Sequence, residues 1–281
     1  ADRYRLLRLI GRGGMGVVYQ VEHVRMGKLM AMKLLHGELS RDPEVVRRFR
    51  REAQAASQLK HLNTVSIFDF GRADGLMYLV MEYIDGADLG RILRAEQRIG
   101  FTRAAGIFEQ VCGSLAEAHE QGIVHRDLKP ENVLISSMRD MPDFVKVLDF
   151  GLAKLRETED RLEITSQGSI IGTPYYMAPE QIRGGAIDAR ADIYSVGAVL
   201  FKALTGRPPF TAANPIGVLT KHMTEPVPRL ADVFAELDLP PLADRIVQCA
   251  MAKEPDGRYA RIDELRNDLL DHLGRVDEGS A

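Results

Sequence analysis

The sequence predicts an α+β chain of two lobes, a small antiparallel sheet with one helix and a larger, mostly helical part. Three observations predict it. Residues 4–82 hold short β-branched and apolar runs separated by Gly, Asn and Asp turns. From about residue 87 onward apolar positions recur at helical spacing. Between them, Met81-Glu82-Tyr83-Ile84-Asp85-Gly86 changes character and reads as a connector. One domain is expected, with residues 1–82 as the first lobe, 83–86 as hinge and 87–281 as the second lobe.

The chain has 281 residues, 45% of them hydrophobic, and a formal net charge of -3. That content supports a folded globule, and the charge offers no basic field to nucleic acid or anionic lipid. No apolar run is long enough to span a bilayer, and no signal peptide opens the sequence. Cys112 and Cys249 lie on apolar helical stripes and read as buried thiols of a reducing compartment, the cytoplasm. Structure starts almost at once, at Tyr4, as expected of a domain cut from something longer.

Residues 4–10 predict a strand leading into Gly11-Arg12-Gly13-Gly14-Met15-Gly16, and Val17 to Glu22 predicts the next. Such glycines alone are weak evidence beyond a hairpin. A dinucleotide fingerprint needs a helix directly after them. Here a β-branched run follows, so the loop is a hairpin flap whose bare backbone can approach phosphates.

A third strand, Leu29 to Leu35, carries one charge at its centre, Lys33. Alternation puts Ala31 and Lys33 on one face, and Met30, Met32 and Leu34 on the other. A small residue beside a lysine suits a flat ring with phosphates beyond it. An edge-strand guard against aggregation is the common alternative, but it accounts poorly for a lysine flanked by apolar residues. The next helix is capped by Asp42 with Pro43 at its first position. Its apolar stripe runs Val45, Phe49, Ala56, Leu59, and the member missing at helical spacing is Glu52. A rim glutamate open to solvent is the plainer explanation. Two misfits that satisfy one another make a Lys33–Glu52 ion pair the better expectation.

His61 to Val65 turns into two more strands, near 66–72 and 76–82. Beyond the connector, a helix from Thr102 to about Gln121 feeds the stretch from Ile123 to Ile135, where two apolar runs enclose a polar loop. Polar groups there are costly to order away from water unless a charged ligand meets them. Asp127 can accept a proton, Lys129 can hold an anion and Asn132 can offer an oxygen to a hard cation. Together they describe phosphoryl transfer from a metal nucleotide. Val145 to Gly151 is another strand ending in a carboxylate and a glycine. Turn aspartates are frequent, yet across a hairpin Asp149 reaches the same cation, giving magnesium chemistry its second hard ligand. The segment Ser136 to Asp143 reads as a surface excursion of that hairpin.

Residues 152–177 are polar and rich in hydroxyls and charges, and a connection of this length is usually functional. Arg126 offers a cation that phosphorylated Thr165, Ser166 or Ser169 would meet, ordering the loop. Simple solvation is the plainer fate of any one of them. Residues 189–205 are apolar nearly all round, a central buried helix stopped by Gly206. Asp192 near its start is placed to cap the polar loop's backbone, and Arg258 to pair with Glu180. Further helices are expected near 214–223, 240–252 and 262–273.

Taken together, Gly11-x-Gly13-x-x-Gly16-x-Val18, Ala31-Met32-Lys33, Glu52, His125-Arg126-Asp127, Asn132, Asp149-Phe150-Gly151, Ala178-Pro179-Glu180, Asp192 and Arg258 resemble the protein kinase pattern. Any one is weak; all in this order are specific. Asp-Leu-Lys-Pro-Glu-Asn and Gly-Thr-Pro-Tyr-Tyr resemble the serine/threonine branch, and the wording around them is similar to bacterial eukaryotic-like kinases.

The resemblance implies the two-lobed protein kinase fold and transfer of the γ-phosphate of ATP to protein Ser/Thr hydroxyls, with Mg²⁺ or alternatively Mn²⁺. It implies that Gly11, Gly13 and Gly16 cover the phosphates, and that Val18, Ala31 and Leu134 sandwich adenine. Met81 would guard the back pocket, with Glu82 and Ile84 at the adenine edge. Lys33, held by Glu52, would take the α and β phosphates, Asn132 and Asp149 the metal. Asp127 would be the base, Lys129 the γ-phosphate ligand and Thr173 their bridge. Self-association and loop autophosphorylation are implied as regulation, and related kinases carry a membrane anchor outside this domain. One departure is Ala56, smaller than the leucine usual one turn after Glu52, from which a looser helix is expected. A catalytically silent scaffold is the alternative, opposed by intact Lys33, Asp127, Asn132 and Asp149. A small-molecule phosphotransferase would not need the Ala-Pro-Glu segment that shapes a peptide shelf.

Overall fold

A computed structural model describes residues 3–138, 141–150, 174–233 and 239–279. Five strands form an antiparallel sheet in the order β1-β2-β3-β5-β4: β1 (Tyr4–Gly13), β2 (Gly16–His23), β3 (Lys28–Leu35), β4 (Ile67–Ala73) and β5 (Leu76–Glu82). The central strand β3 separates two apolar clusters by its alternation. Met30 and Met32 join Val21, Tyr78 and Val80 on one face. Ala31 and Leu35 join Phe49, Ala53, Val65, Met77, Leu79 and Met81 on the other.

Two helices, rather than the one expected, connect β3 to β4: a short α1 (Gly37–Arg41) and then α2 (Pro43–Ala56). They cannot merge, because the residue before a proline is pushed out of helical geometry. Asp42 is extended there, and its carboxylate accepts from the amides of Glu44 at 2.8 Å and Val45 at 3.3 Å. Pro43 at the first position gives up no helical hydrogen bond. The buried face of α2 is Val45, Phe49, Glu52, Ala53 and Ala56.

The rest of the chain is mainly helical. A small sheet, β6 (Ala87–Asp88), β7 (Val133–Met138) and β8 (Met141–Val147), lies among α3 (Leu89–Glu96), α4 (Phe101–Glu120), α5 (Pro179–Arg183), α6 (Arg190–Thr205), α7 (Pro215–Thr224), α8 (Leu230–Val233), α9 (Pro241–Ala250) and α10 (Ile262–Gly279). Helix α6 is buried from Ala191 through Leu200 and packs with Phe108 and Leu115 of α4 and Ile246 of α9. It stops at Gly206, where φ is +78°, a conformation glycine adopts without a Cβ clash. The expected excursion at Ser136–Asp143 is, in its described residues, the end of the β7–β8 ladder, with Met138 opposite Met141. Cys112 is buried as expected, whereas Cys249 is partly exposed. Among the described residues no helix is long and apolar enough to cross a membrane.

Candidate active site

The β7–β8 ladder assembles the site. Val133 pairs with Val147, so the residues flanking them meet, and Leu148 N donates to Asn132 O at 2.9 Å. The polar loop before β7 and the Asp149 turn after β8 therefore face one cleft.

Both carry unusual backbone. Arg126 has φ +68° and Asp149 φ +59°, the left-handed region that costs a side-chain-bearing residue about 1–3 kcal/mol. Asp192 holds the first of these. Fully buried on α6, its Oδ1 accepts from Arg126 N at 2.8 Å, and its Oδ2 accepts from His125 N at 2.8 Å and faces His119 Nε2 at 2.7 Å. Burial alone would raise the Asp192 carboxyl. The His119 hydrogen bond and the nearby His125 outweigh it and hold the group below the usual carboxylate range. Within the loop, Lys129 Nζ donates to Asp127 Oδ2, and Asn132 Nδ2 donates to Asp127 O at 2.8 Å. With its donor spent on the backbone, the asparagine presents its oxygen as the group for a cation.

The expected Lys33–Glu52 pair is not formed. Lys33 Nζ lies 2.6 Å from Asp149 Oδ2, and Glu52 Oε1 accepts from Arg51 at 3.0 Å. The turn after β8 thus brings the Asp149 carboxylate to the buried lysine on β3. Burial would by itself raise the Asp149 carboxyl, but Lys33, assisted by His125 and Lys129, keeps it below its ordinary value. Glu52 is buried, as its place on the apolar stripe predicts, but in this structure its carboxylate meets Arg51 and not Lys33.

Beside this pair is a narrow crevice lined by Ala56, Val65, Leu79, Met81, Val147, Asp149 and Phe150. Ala31, Met81, Val18 and Ile84 belong to one apolar cluster on the Lys33 face, and Leu134 is half-buried on β7. The glycines of the flap differ in their reasons. A Cβ on Gly16 would come 1.9 Å from Leu34 O, so its absence lets two strands approach, whereas Gly13 has open space around it. Phe150 is buried and meets His125 edge-on, ring centroids 4.9 Å apart. Among the described residues no three His, Cys, Asp or Glu side chains cluster as a metal cage. The oxygens of Asp149 and Asn132 fit a hard divalent cation that takes its other ligands from phosphates and water.

Residues 4–270 match the model of the protein kinase domain. The chain belongs to the protein kinase domain family. It is similar to the serine/threonine-protein kinase pkn3 of Myxococcus xanthus, 42% identical over 96% of this chain and 50% of that protein. It is also 42% identical to PknB of Mycolicibacterium smegmatis, over 100% of this chain and 44% of the relative. The chain thus spans about half the length of the curated relatives it matches. The crystal structure of the Mycobacterium tuberculosis PknI kinase domain matches with a TM-score of 0.73 at 27% identity, covering 96% of this chain and 95% of that one. The chain is a bacterial eukaryotic-like serine/threonine kinase catalytic domain, a family that uses ATP and a divalent metal.

Some kinase-pattern residues lie outside the described ones: Gly151, Thr165, Ser166, Ser169 and Thr173. Other residues that shape the site stand outside the expected set. Lys146 Nζ, buried on β8, donates to Glu82 Oε2 at 2.8 Å and to Thr64 O at 3.4 Å, fastening the connector to the strand that delivers Asp149. Asn63 O and Val65 N pair with Val147 at 2.7 and 3.0 Å, so the exit of α2 is tied to the same strand. In an apolar strand Lys146 is a misfit of the same kind as Lys33, and that was the available clue.

Proposed function

We propose that this chain transfers the γ-phosphate of ATP to serine and threonine hydroxyls of proteins, with Mg²⁺ as the ion and Mn²⁺ as its substitute. The meeting of Lys33 with Asp149, beside Asp127, Lys129 and Asn132, carries the reading. Asn132 and Asp149 hold the ion, which when bound neutralises phosphate charge. Lys33 grips the α and β phosphates under the flap, with Glu52 taking the lysine once Asp149 turns to the metal. Adenine lies between Val18, Ala31 and Leu134, against the connector at Met81, Glu82 and Ile84. Asp127 orients the substrate hydroxyl and accepts its proton as oxygen bonds to phosphorus and the bond to ADP breaks. Lys129 steadies the transferred group.

Residues 1–82 and 87–281 act as the two lobes about the hinge at 83–86. Phosphates on Thr165, Ser166 or Ser169 pair with Arg126, Thr173 bridges Asp127 and Lys129, and a homodimer brings the loops together for autophosphorylation. The domain works in the cytoplasm, as part of a longer membrane-anchored protein. A silent scaffold would need a lesion that Lys33, Asp127, Asn132 and Asp149 do not show. Incubation with γ-labelled ATP and Mg²⁺ tests the reading: wild type incorporates label on Ser and Thr and Asp149→Asn does not. Equally little incorporation by both rejects it.

A further inference from the structure

We propose that Gln181 is a positioning residue that couples the peptide shelf to the backbone carrying Asp127. The inference rests on the kinase reading above and adds a residue to it.

Helix α5 is five residues long and begins at Pro179, after Ala178, whose methyl cannot cap it. Gln181 reaches back instead, and its Oε1 accepts from Ala178 N at 3.0 Å. That half of the amide is ordinary helix capping. The other half leaves the helix: Nε2 donates to Arg126 O at 2.8 Å, across 55 positions of sequence. One planar side chain therefore joins the start of the Ala-Pro-Glu segment to the polar loop.

Its point of attachment matters. Arg126 is the residue with φ +68°, and Asp192 fixes its N–H. The peptide plane that follows is held at both edges. Its carbonyl accepts from Gln181, and its N–H, that of Asp127, faces His125 Nδ1 at 3.3 Å. The Cα of Asp127 is the next atom, so rotation of this plane swings the carboxylate that must meet the substrate hydroxyl. A strained residue has a relaxed conformation to fall back to once a restraint is removed. Gln181 is half-buried, which strengthens both bonds relative to water. The planar amide supplies a strong acceptor and a donor together at this reach, whereas a carboxylate lacks the donor and a thioether offers only a weak acceptor.

The test uses Gln181→Glu and Gln181→Met in the intact chain, with casein as phosphoacceptor. The glutamate variant keeps the bond to Ala178 but faces Arg126 O with a second acceptor. A capping role alone predicts wild-type turnover for Gln181→Glu. The positioning role predicts kcat down about ten-fold or more in both variants, with the KM for ATP unchanged, because a small misplacement of a reacting group is costly. A second readout needs no turnover: the Asp127 backbone amide resonance shifts in both variants. Wild-type kcat in Gln181→Glu, or an unmoved Asp127 amide in either variant, overturns the proposal. Wild type that transfers no phosphate while the Asp127 amide still shifts overturns the kinase reading and leaves the coupling standing. Should Gln181→Glu fail to fold, the amide shift in Gln181→Met decides.

Discussion

Lys33 Nζ and Asp149 Oδ2 lie 2.6 Å apart although 116 positions separate them. Lys33 is the principal opposite charge for the Asp149 carboxylate, with His125 and Lys129 assisting. Lys33→Met therefore costs the fold about 1–3 kcal/mol, well short of unfolding a domain, and lowers kcat by about 100-fold or more. Asp127→Asn lowers kcat comparably but touches no buried ion pair of the core, so its melting temperature stays close to wild type. Calorimetry alongside phosphate-transfer rates checks both. Near-normal turnover from either variant refutes the role given to that residue.

Acid should destabilise this fold in two stages. His222 is fully buried, its Nδ1 2.8 Å from Tyr194 OH, and burial, helped by the Lys253 charge, pushes its pKa down from 6.5 to about 3. The unfolded chain protonates this histidine below about 6.5 while the folded one resists. Stability present above that pH is thus lost as pH falls from 6.5 towards 3. Asp149 and Asp192 are depressed carboxyls, so their contribution is complete above the ordinary 3.8 and is lost only below it. Urea unfolding from pH 7 to 3 should show an early decline that His222→Phe flattens. An unchanged slope between pH 6.5 and 4 in that variant contradicts the assignment.

Glu180 and Arg258 form a buried two-pronged pair, Oε1 to Nη1 at 2.7 Å and Oε2 to Nη2 at 2.8 Å. Arg258 Nη1 also donates to Arg190 O at 2.8 Å, tying α5 to the start of α6. Removing either partner leaves a charge desolvated and alone, at a cost of about 3–5 kcal/mol. Glu180→Gln and Arg258→Met should each lower the melting temperature markedly, while the double variant loses less than the sum. Additive losses would mean that the two side chains act independently.

The legible part of this molecule was its set of misfits. Lys33 in an apolar strand and Glu52 on an apolar helical stripe announce themselves because burial of an ordinary side chain there would need no explanation. Asp127, Asn132 and Asp149 stand out for the same reason, between short apolar runs. Partner choice was not legible. Whether Lys33 meets Glu52 or Asp149 depends on how α2 and the turn after β8 sit against β3, a tertiary placement that spacing does not encode. Gln181 was invisible altogether, since a glutamine inside a polar helical turn breaks no pattern and its reach to Arg126 exists only after folding.

Ala56 gives the last prediction. It lies on the inner face of α2, is 5% exposed, and lines the crevice that also touches Leu79, Met81 and Phe150. A methyl one turn after Glu52 leaves the helix with little apolar contact towards Phe150, and Glu52 does not reach Lys33. Filling such a space stabilises by about 0.5–2 kcal/mol when the new side chain finds a staggered rotamer, whereas overpacking costs about 1–3 kcal/mol. A leucine that reaches Leu79, Met81 and Phe150 adds apolar contact on this face of α2, so Ala56→Leu should raise the melting temperature. By pressing α2 against Phe150 it should also favour the Lys33–Glu52 contact and increase phosphate transfer before any loop phosphorylation. Ala56→Gly, which enlarges the gap and loosens the helix by about 1 kcal/mol, should move both quantities the other way. If Ala56→Leu melts lower than wild type and transfers phosphate more slowly, the crevice is already filled to its limit and the looseness of α2 has another origin.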